Sequence, residues 1–277
     1  MQYKVDSGSW SNNIPTMDNA GTYTIYYRVL ESANYYGTDG TDNITNSIAK
    51  VTPTVVAPTP RVLTYNTSSQ ALVNAGSTNW GTLQYSLDNS SWSTNIPEAI
   101  NYGSYTVYYR VVGNSNINDV ASASVACSIA EKRVSTPTIE LDPTEYTYNG
   151  KTCEPSVVVK DGTHVIPTSE YTVTYSNNIN AGTATVTITD NTAGNYDITG
   201  TKDFTINKAA GSVTTKPTAK TLTYNGNAQA LVNAGSGTGT IYYRVGTSGS
   251  FTTTVPTATA AGSYTVYFYA AESSNYL

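Results

Sequence analysis

Charge is what this sequence has least of. Charged residues fill only 12% of its 277 positions, and the net charge is −5. A mildly acidic chain without basic runs lacks the electrostatic footprint of a nucleic-acid binder, so no nucleic-acid partner is expected. No apolar run nears the roughly 20 residues of a spanning helix, so no membrane span is expected either. The opening MQYKVDSGSW is strand-like rather than a leader sequence. Two cysteines, Cys127 and Cys153, are too few for a disulfide framework. Both are expected to be free. Cys127 falls in the inward register of a strand, and Cys153 on a different strand of the next segment. The single histidine, His164, sits in DGTHVIPTSE and reads as an exposed loop residue. Catalysis or metal binding would need partners for it. There is no second histidine, no Cys/His cluster, no HExxH and no GxSxG. Carboxylates occur singly, without the shared acid pair of a glycosidase. No enzyme activity, cofactor or metal is therefore expected.

What the chain has instead is tyrosine, 24 residues against three phenylalanines and three tryptophans. Tyrosine can sit half-buried on a sheet with its hydroxyl in water, which suits thin β-domains with little core. One stretch organises the rest: GSYTVYYRV at 103–111. It returns as GTYTIYYRV at 21–29 and GSYTVYFYA at 262–270, and as the diverged GTATVTITD starting at Gly182. Strict alternation puts Tyr105, Val107, Tyr109 and Val111 on one side and Thr106, Tyr108 and Arg110 on the other. Period two means a strand with one buried face, and recurrence means a repeat array.

Aligning the copies divides the chain into four segments. Residues 53–133 hold a full set of about seven short strands with turns between them, the pattern of a β-sandwich. They begin at a Pro/Thr-rich connector running into an edge strand. Residues 134–209 are a complete unit of a second subtype, in which Ala184 replaces the tyrosine of the organising strand. Residues 1–52 match only the later part of the plan: Trp10 aligns with Trp92 and Ile14-Pro15 with Ile96-Pro97. Residues 210–277 match the plan up to, but not including, its last strand. The expectation is an all-β, elongated tandem array whose terminal repeats are incomplete. Such a chain reads as a piece of a longer protein with Met1 internal. The competing reading is that broken edges pair end to end between otherwise monomeric molecules.

The run Asn101-Tyr-Gly-Ser-Tyr105-Thr-Val107 resembles the entry into strand F of immunoglobulin domains. Tyr23, Tyr105 and Tyr264 stand at the tyrosine corner, and Ile25, Val107 and Val266 stand where the disulfide cysteine would be. LTYNGNAQALVNAGS…IYYRV…AAGSYTVYFYA and YTVTYSNNINAGTATVTI…GNYDITGTKDFTI look like bacterial Ig-like (MBG-type) repeats, over essentially the whole chain. That resemblance implies small immunoglobulin-like sandwiches in a modular, extracellular or cell-surface adhesin-like protein, with the repeats as stalk.

Three stretches are candidates for sites. Asp39 and Asp42 in GTDGTDN could offer oxygens to Ca²⁺, but a solvated turn fits them better. A Lys–Asn isopeptide bond is impossible within the second segment, which has no lysine between Lys50 and Lys132. The best candidate ligand face is the outward side of the organising strand: Tyr26 and Arg28, Tyr108 and Arg110, and in the fourth segment Tyr242, Arg244, Tyr267 and Tyr269. Tyr–Arg pairs at i, i+2 suit cation–π contact, and aromatic ladders suit sugar rings. Plain cross-strand packing that shields a thin sheet is the simpler reading. The expected function is a stalk or spacer. The alternatives are a module that binds glycan or a host surface protein, and accessory repeats of a surface enzyme.

Overall fold

The computed structural model describes all of residues 1–277. The protein is all-β: its one other regular element is a single 3-10 turn, Thr168–Glu170. No helix is long and apolar enough to cross a membrane. The chain divides into two compact units, Met1–Lys132 and Arg133–Leu277.

In the first unit, residues 1–52 form one antiparallel sheet of Gln2–Val5, Gly21–Arg28 and Asn43–Ile48. No second sheet covers it, so Ile44 remains 60% exposed. The second segment is better closed. Its main sheet runs Thr82–Ser86, Gly103–Val112, Val120–Ala130, Val62–Thr64. Opposite stand short pairs such as Thr59–Pro60 with Val73–Asn74 and Gln70–Ala71 with Glu98–Ala99. The expected single edge strand is instead broken into Val55–Val56 and Thr59–Pro60 around Pro58, because proline has no N–H for the ladder. Leu63, Leu72, Val73, Tyr85, Val107, Cys127 and Ile129 make one buried cluster. The alternation read from the sequence places Val107 and Val111 in the core and leaves Tyr108 and Arg110 half-buried on the other face.

Packing also explains a recurring glycine. A Cβ on Gly76 would lie 2.5 Å from the Val56 carbonyl oxygen, and one on Gly235 would lie 2.7 Å from that of Thr215. Side-chain-free backbone is needed there, and both N–H groups donate to a core tyrosine, Tyr85 at 3.0 Å and Tyr243 at 2.9 Å.

In the second unit, residues 134–209 build two main sheets. One is Thr138–Asp142, Ser156–Asp161 and His164–Val165; the other is Glu145–Thr147, Gly200–Asn207, Gly182–Asp190 and Tyr171–Ser176. Ile139, Val159, Val186, Ile188, Phe204 and Ile206 are buried between these elements. Cys153 is buried and free, as is Cys127, but it lies in the loop before Ser156–Asp161 rather than on a strand. Burial pushes both thiols above the ordinary cysteine range. His164 is exposed yet sits on a two-residue strand, not a loop, with its ring stacked over Tyr196 at 6.5 Å. Residues 210–277 form four two-stranded pairs, the longest being Ile241–Val245 with Val266–Ala270.

Candidate functional site

The outward face of the organising strand is built the same way in the first two segments. Arg28 lies opposite Gln2, and Arg110 lies opposite Gln84. Each arginine donates through Nε and an Nη to the glutamine Oε1, at 3.0 and 2.7 Å for Arg28 and 3.1 and 3.0 Å for Arg110. This fork leaves the guanidinium plane free to stack. It does so on an indole: Arg28 over Trp10 and Arg110 over Trp92, each at 4.3 Å from the ring centroid. The tryptophan is held close by a backbone bridge from its neighbour, Tyr3 with Ser11 and Tyr85 with Ser93. In the first segment Lys4 adds a second cation over Trp10 and Tyr26, at 5.2 and 4.9 Å.

The partner of the arginine is therefore not the tyrosine two residues before it, as i, i+2 spacing suggested. Side chains two apart on one strand point the same way side by side. The indole arrives from the next loop and covers the guanidinium from outside. Tyr26 and Tyr108 are half-buried flanking residues on this face.

The fourth segment rearranges the same face. Tyr242 stands where Gln84 would be and Tyr269 where Arg110 would be. The two rings stack at 5.5 Å with 13° between planes, and Phe251 meets Tyr269 edge-on at 4.9 Å. The arginine moves to the adjacent strand as Arg244, opposite Tyr267. It lies 4.6 Å from the Phe251 centroid and 5.5 Å from that of Tyr267. Without a glutamine to receive it, its buried Nε has no hydrogen-bond partner. Tyr267 and Tyr269 are 41% and 44% exposed, the most open aromatics of the eight candidates.

The corner tyrosines make the expected bond. The hydroxyls of Tyr23, Tyr105 and Tyr264 donate to the carbonyls of Asn19, Asn101 and Ala260 at 2.8, 2.7 and 2.8 Å. Asp39 accepts from the backbone N–H and hydroxyl of Thr41, which holds its carboxyl below the ordinary range. These are the bonds of a turn. No group of three His, Cys, Asp or Glu side chains stands close enough to hold a metal.

One set of residues escaped the sequence reading: an asparagine clasp, made in each unit. In the first unit Asn116 reaches back to the Asn-Ala-Gly turn before the first organising strand. Its Nδ2 donates to Asn19 Oδ1 at 2.8 Å, and its Oδ1 accepts from Ala20 N–H at 2.8 Å. Its backbone carbonyl accepts from Val51 at 3.0 Å, and Asn118 N–H returns to Val51 O at 2.9 Å. In the second unit Asn275 repeats all four bonds. It holds Asn180 Oδ1 at 3.0 Å and Ala181 N–H at 2.9 Å, and backbone bonds of 3.0 and 2.8 Å join it and Leu277 to Ala209. A lysine assists each clasp: Lys50 donates to the Asn114 carbonyl, and Lys208 pairs with Glu272. The signal was present as Asn-Ala-Gly at 19–21 and 180–182 and Ser-Asn at 115–116 and 274–275. Only the fold shows that these motifs from successive segments meet. Glu170 was also missed. It is buried and accepts from the backbone and side-chain N–H groups of Asn195.

Comparison with protein families and with curated proteins gives no match to this chain.

Proposed function

We propose that the chain is a spacer: a run of immunoglobulin-like repeats of the bacterial MBG type, in a cell-surface or secreted adhesin-like protein. The carrying observation is the clasp. Four equivalent hydrogen bonds tie the first segment to the second, and four tie the third to the fourth. A spacer needs a junction that reproduces itself between unlike neighbours, because each repeat of an array touches mainly its neighbours. The third segment is a different subtype from the first, yet it offers the same Asn-Ala-Gly turn. The Arg–Trp faces add support, since each arginine is already engaged by its own glutamine and indole. On this reading the chain is not itself an enzyme.

The test is small-angle X-ray scattering of the wild type and of Asn116→Ala with Asn275→Ala. Broader distance distributions with unchanged strand content are expected in the variant. Identical profiles would remove the basis for the spacer reading.

A second reading is favoured by one observation in the fourth segment. Tyr267 and Tyr269, 41% and 44% exposed, offer ring surface of the kind that packs on sugars. A glycan array probed with the chain decides this: binding lost on Tyr267→Ala with Tyr269→Ala would make the face a lectin-like site.

A further inference from the structure

In three of the four segments, the edge strand beside the organising strand is covered by a loop of its own segment. Ser11 bridges Tyr3, Ser93 bridges Tyr85 and Thr252 bridges Tyr243. Each tyrosine N–H donates to the loop carbonyl, at 2.7, 2.7 and 2.8 Å. Each tyrosine carbonyl accepts from the loop N–H in return, at 2.8, 3.0 and 3.0 Å. The third segment has no such loop. Its edge strand Tyr171–Ser176 passes through residues 177–181 straight into Gly182–Asp190, and no bridge covers its outer side. Both strands lie in the interior of the chain, within a segment whose sheets are complete.

The ladder shows which groups are bare. Asn191 N–H donates to the Glu170 carbonyl at 3.2 Å, and bonding alternates from there along the antiparallel pair. Thr172, Thr174 and Ser176 therefore turn their main-chain groups toward Gly182–Asp190. Tyr171, Val173 and Tyr175 turn theirs to the outer edge. The N–H and C=O of Val173 and Tyr175, and the C=O of Tyr171, have no partner in the protein. The usual guards of an edge are missing as well. The strand YTVTYS has no lysine, no proline, no bulge and no charge. The nearest carboxylate, Glu170, is buried and engaged by Asn195.

We infer that Tyr171–Ser176 is a homotypic pairing edge. It joins the same strand of a second copy of the chain, antiparallel about a two-fold axis through Val173. The strand is its own complement in that register, which is what a two-fold contact requires. Val173 exchanges both main-chain bonds with Val173 of the copy. Tyr175 N–H meets the Tyr171 carbonyl of the copy, and the symmetry repeats this bond. The exposed side chains Thr172 and Thr174 fall opposite Thr174 and Thr172 of the copy, a favourable neutral pairing. Tyr171 and Tyr175 are paired across the other face. No charge on either strand opposes the approach. Six residues fall short of the roughly 20–30 a side of a standard interface, so one such contact is weak. On a spacer, the edge adds cohesion between neighbouring chains to the task of holding distance.

The test is a charge swap read by analytical ultracentrifugation of the intact chain, from about 10 µM to about 1 mM. The wild type should show a monomer–dimer equilibrium, and hydrogen exchange at Val173 and Tyr175 should slow as the concentration rises. Thr172→Lys with Thr174→Lys sets like charges directly opposite and should weaken the dimer at least about tenfold. Thr172→Glu with Thr174→Glu should do the same. Both positions are exposed, and an unchanged circular dichroism spectrum would show that the fold survives. Mixing the two variants sets each lysine opposite a glutamate and should restore dimers. Thr205→Lys, on the same face but away from the edge, should leave association unchanged. A monomer at every concentration would overturn the inference. So would a mixture that stays monomeric, equal weakening by Thr205→Lys, or a dimer whose slowed amides lie on Asn43–Ile48 or Val266–Ala270 instead.

Discussion

The second and fourth segments start from nearly the same sequence and end in different physical states. Both carry LTYN, QALVNAG, a Tyr-centred strand and GSYTVY. Both place Leu72 or Leu231, Val73 or Val232, and Tyr85 or Tyr243 at matching core positions. Yet Leu63 is buried at 9% while Leu222 is 40% exposed, and Val107 is sealed while Val266 is only half-buried. The one large difference is the strand Val120–Ala130, which covers the second segment. Burial of a residue is thus a property of what pairs above it. A single closing strand converts the same inward-facing pattern from an open groove into a core.

The sharpest way to break this comparison is to disable the closing strand. Ile129 is fully buried, so Ile129→Asp puts an unpaired carboxylate in the core and should cost more than about 4 kcal/mol. Thermal unfolding followed by hydrogen exchange should then show the second segment's strands exchanging early, with 241–245 and 266–270 unchanged. Simultaneous loss of both regions would mean the segments do not fold separately.

Next comes the matched truncation. Leu63→Ala should cost about 2–5 kcal/mol, as burial and a cavity both count, whereas Leu222→Ala should cost less than about 1 kcal/mol. Urea melts of the two variants give the difference directly. Equal costs would show that the groove is closed in solution.

A third pair should show sameness. Tyr85 and Tyr243 are each 4% exposed and each accept from a glycine N–H. Tyr85→Phe and Tyr243→Phe should therefore destabilise alike, by about 1–2 kcal/mol, through an orphaned donor. A clear inequality would mean the open edge has loosened the fourth core as a whole.

The smallest effect concerns acid. Asp88 accepts from the Ser86 and Ser91 hydroxyls and from the Ser90 and Ser91 N–H groups, led by the Ser91 N–H, and these hold its carboxyl well below the ordinary range. A folded-state pKa below the unfolded value of about 3.9 means stability that is present above that value. It is lost as pH falls toward the folded pKa. The fourth segment has Gly246 at the corresponding turn. Asp88→Asn should lower the melting temperature slightly at pH 7 and flatten its decline below pH 4, for the second segment alone. An unchanged acid limb would rule out this turn as its source.

Much of the architecture was legible because it is local. Alternation along 103–111 gave the inward set, and the inward placement of Cys127 followed from the same count. The corner tyrosines followed from the resemblance of Asn101–Val107 to an immunoglobulin strand entry, and their bonds close over only four residues. The Arg–Trp stack was not legible in the same way. The arginine and its neighbouring tyrosine announce themselves in sequence, but the indole comes from another loop, and only strand register brings it over the guanidinium. The clasp was harder still. Asn116 and Asn19 lie far apart in the chain, and each alone reads as an ordinary turn asparagine.

By itself, then, the sequence determined period, strand faces and turn chemistry, since these depend on φ/ψ preferences and on neighbours within a few residues. The tertiary structure alone decided which cation meets which ring, which asparagine grips which turn, and which apolar row stays open. Those outcomes depend on pairing between distant strands, and where no closing strand arrives, the same residues face water.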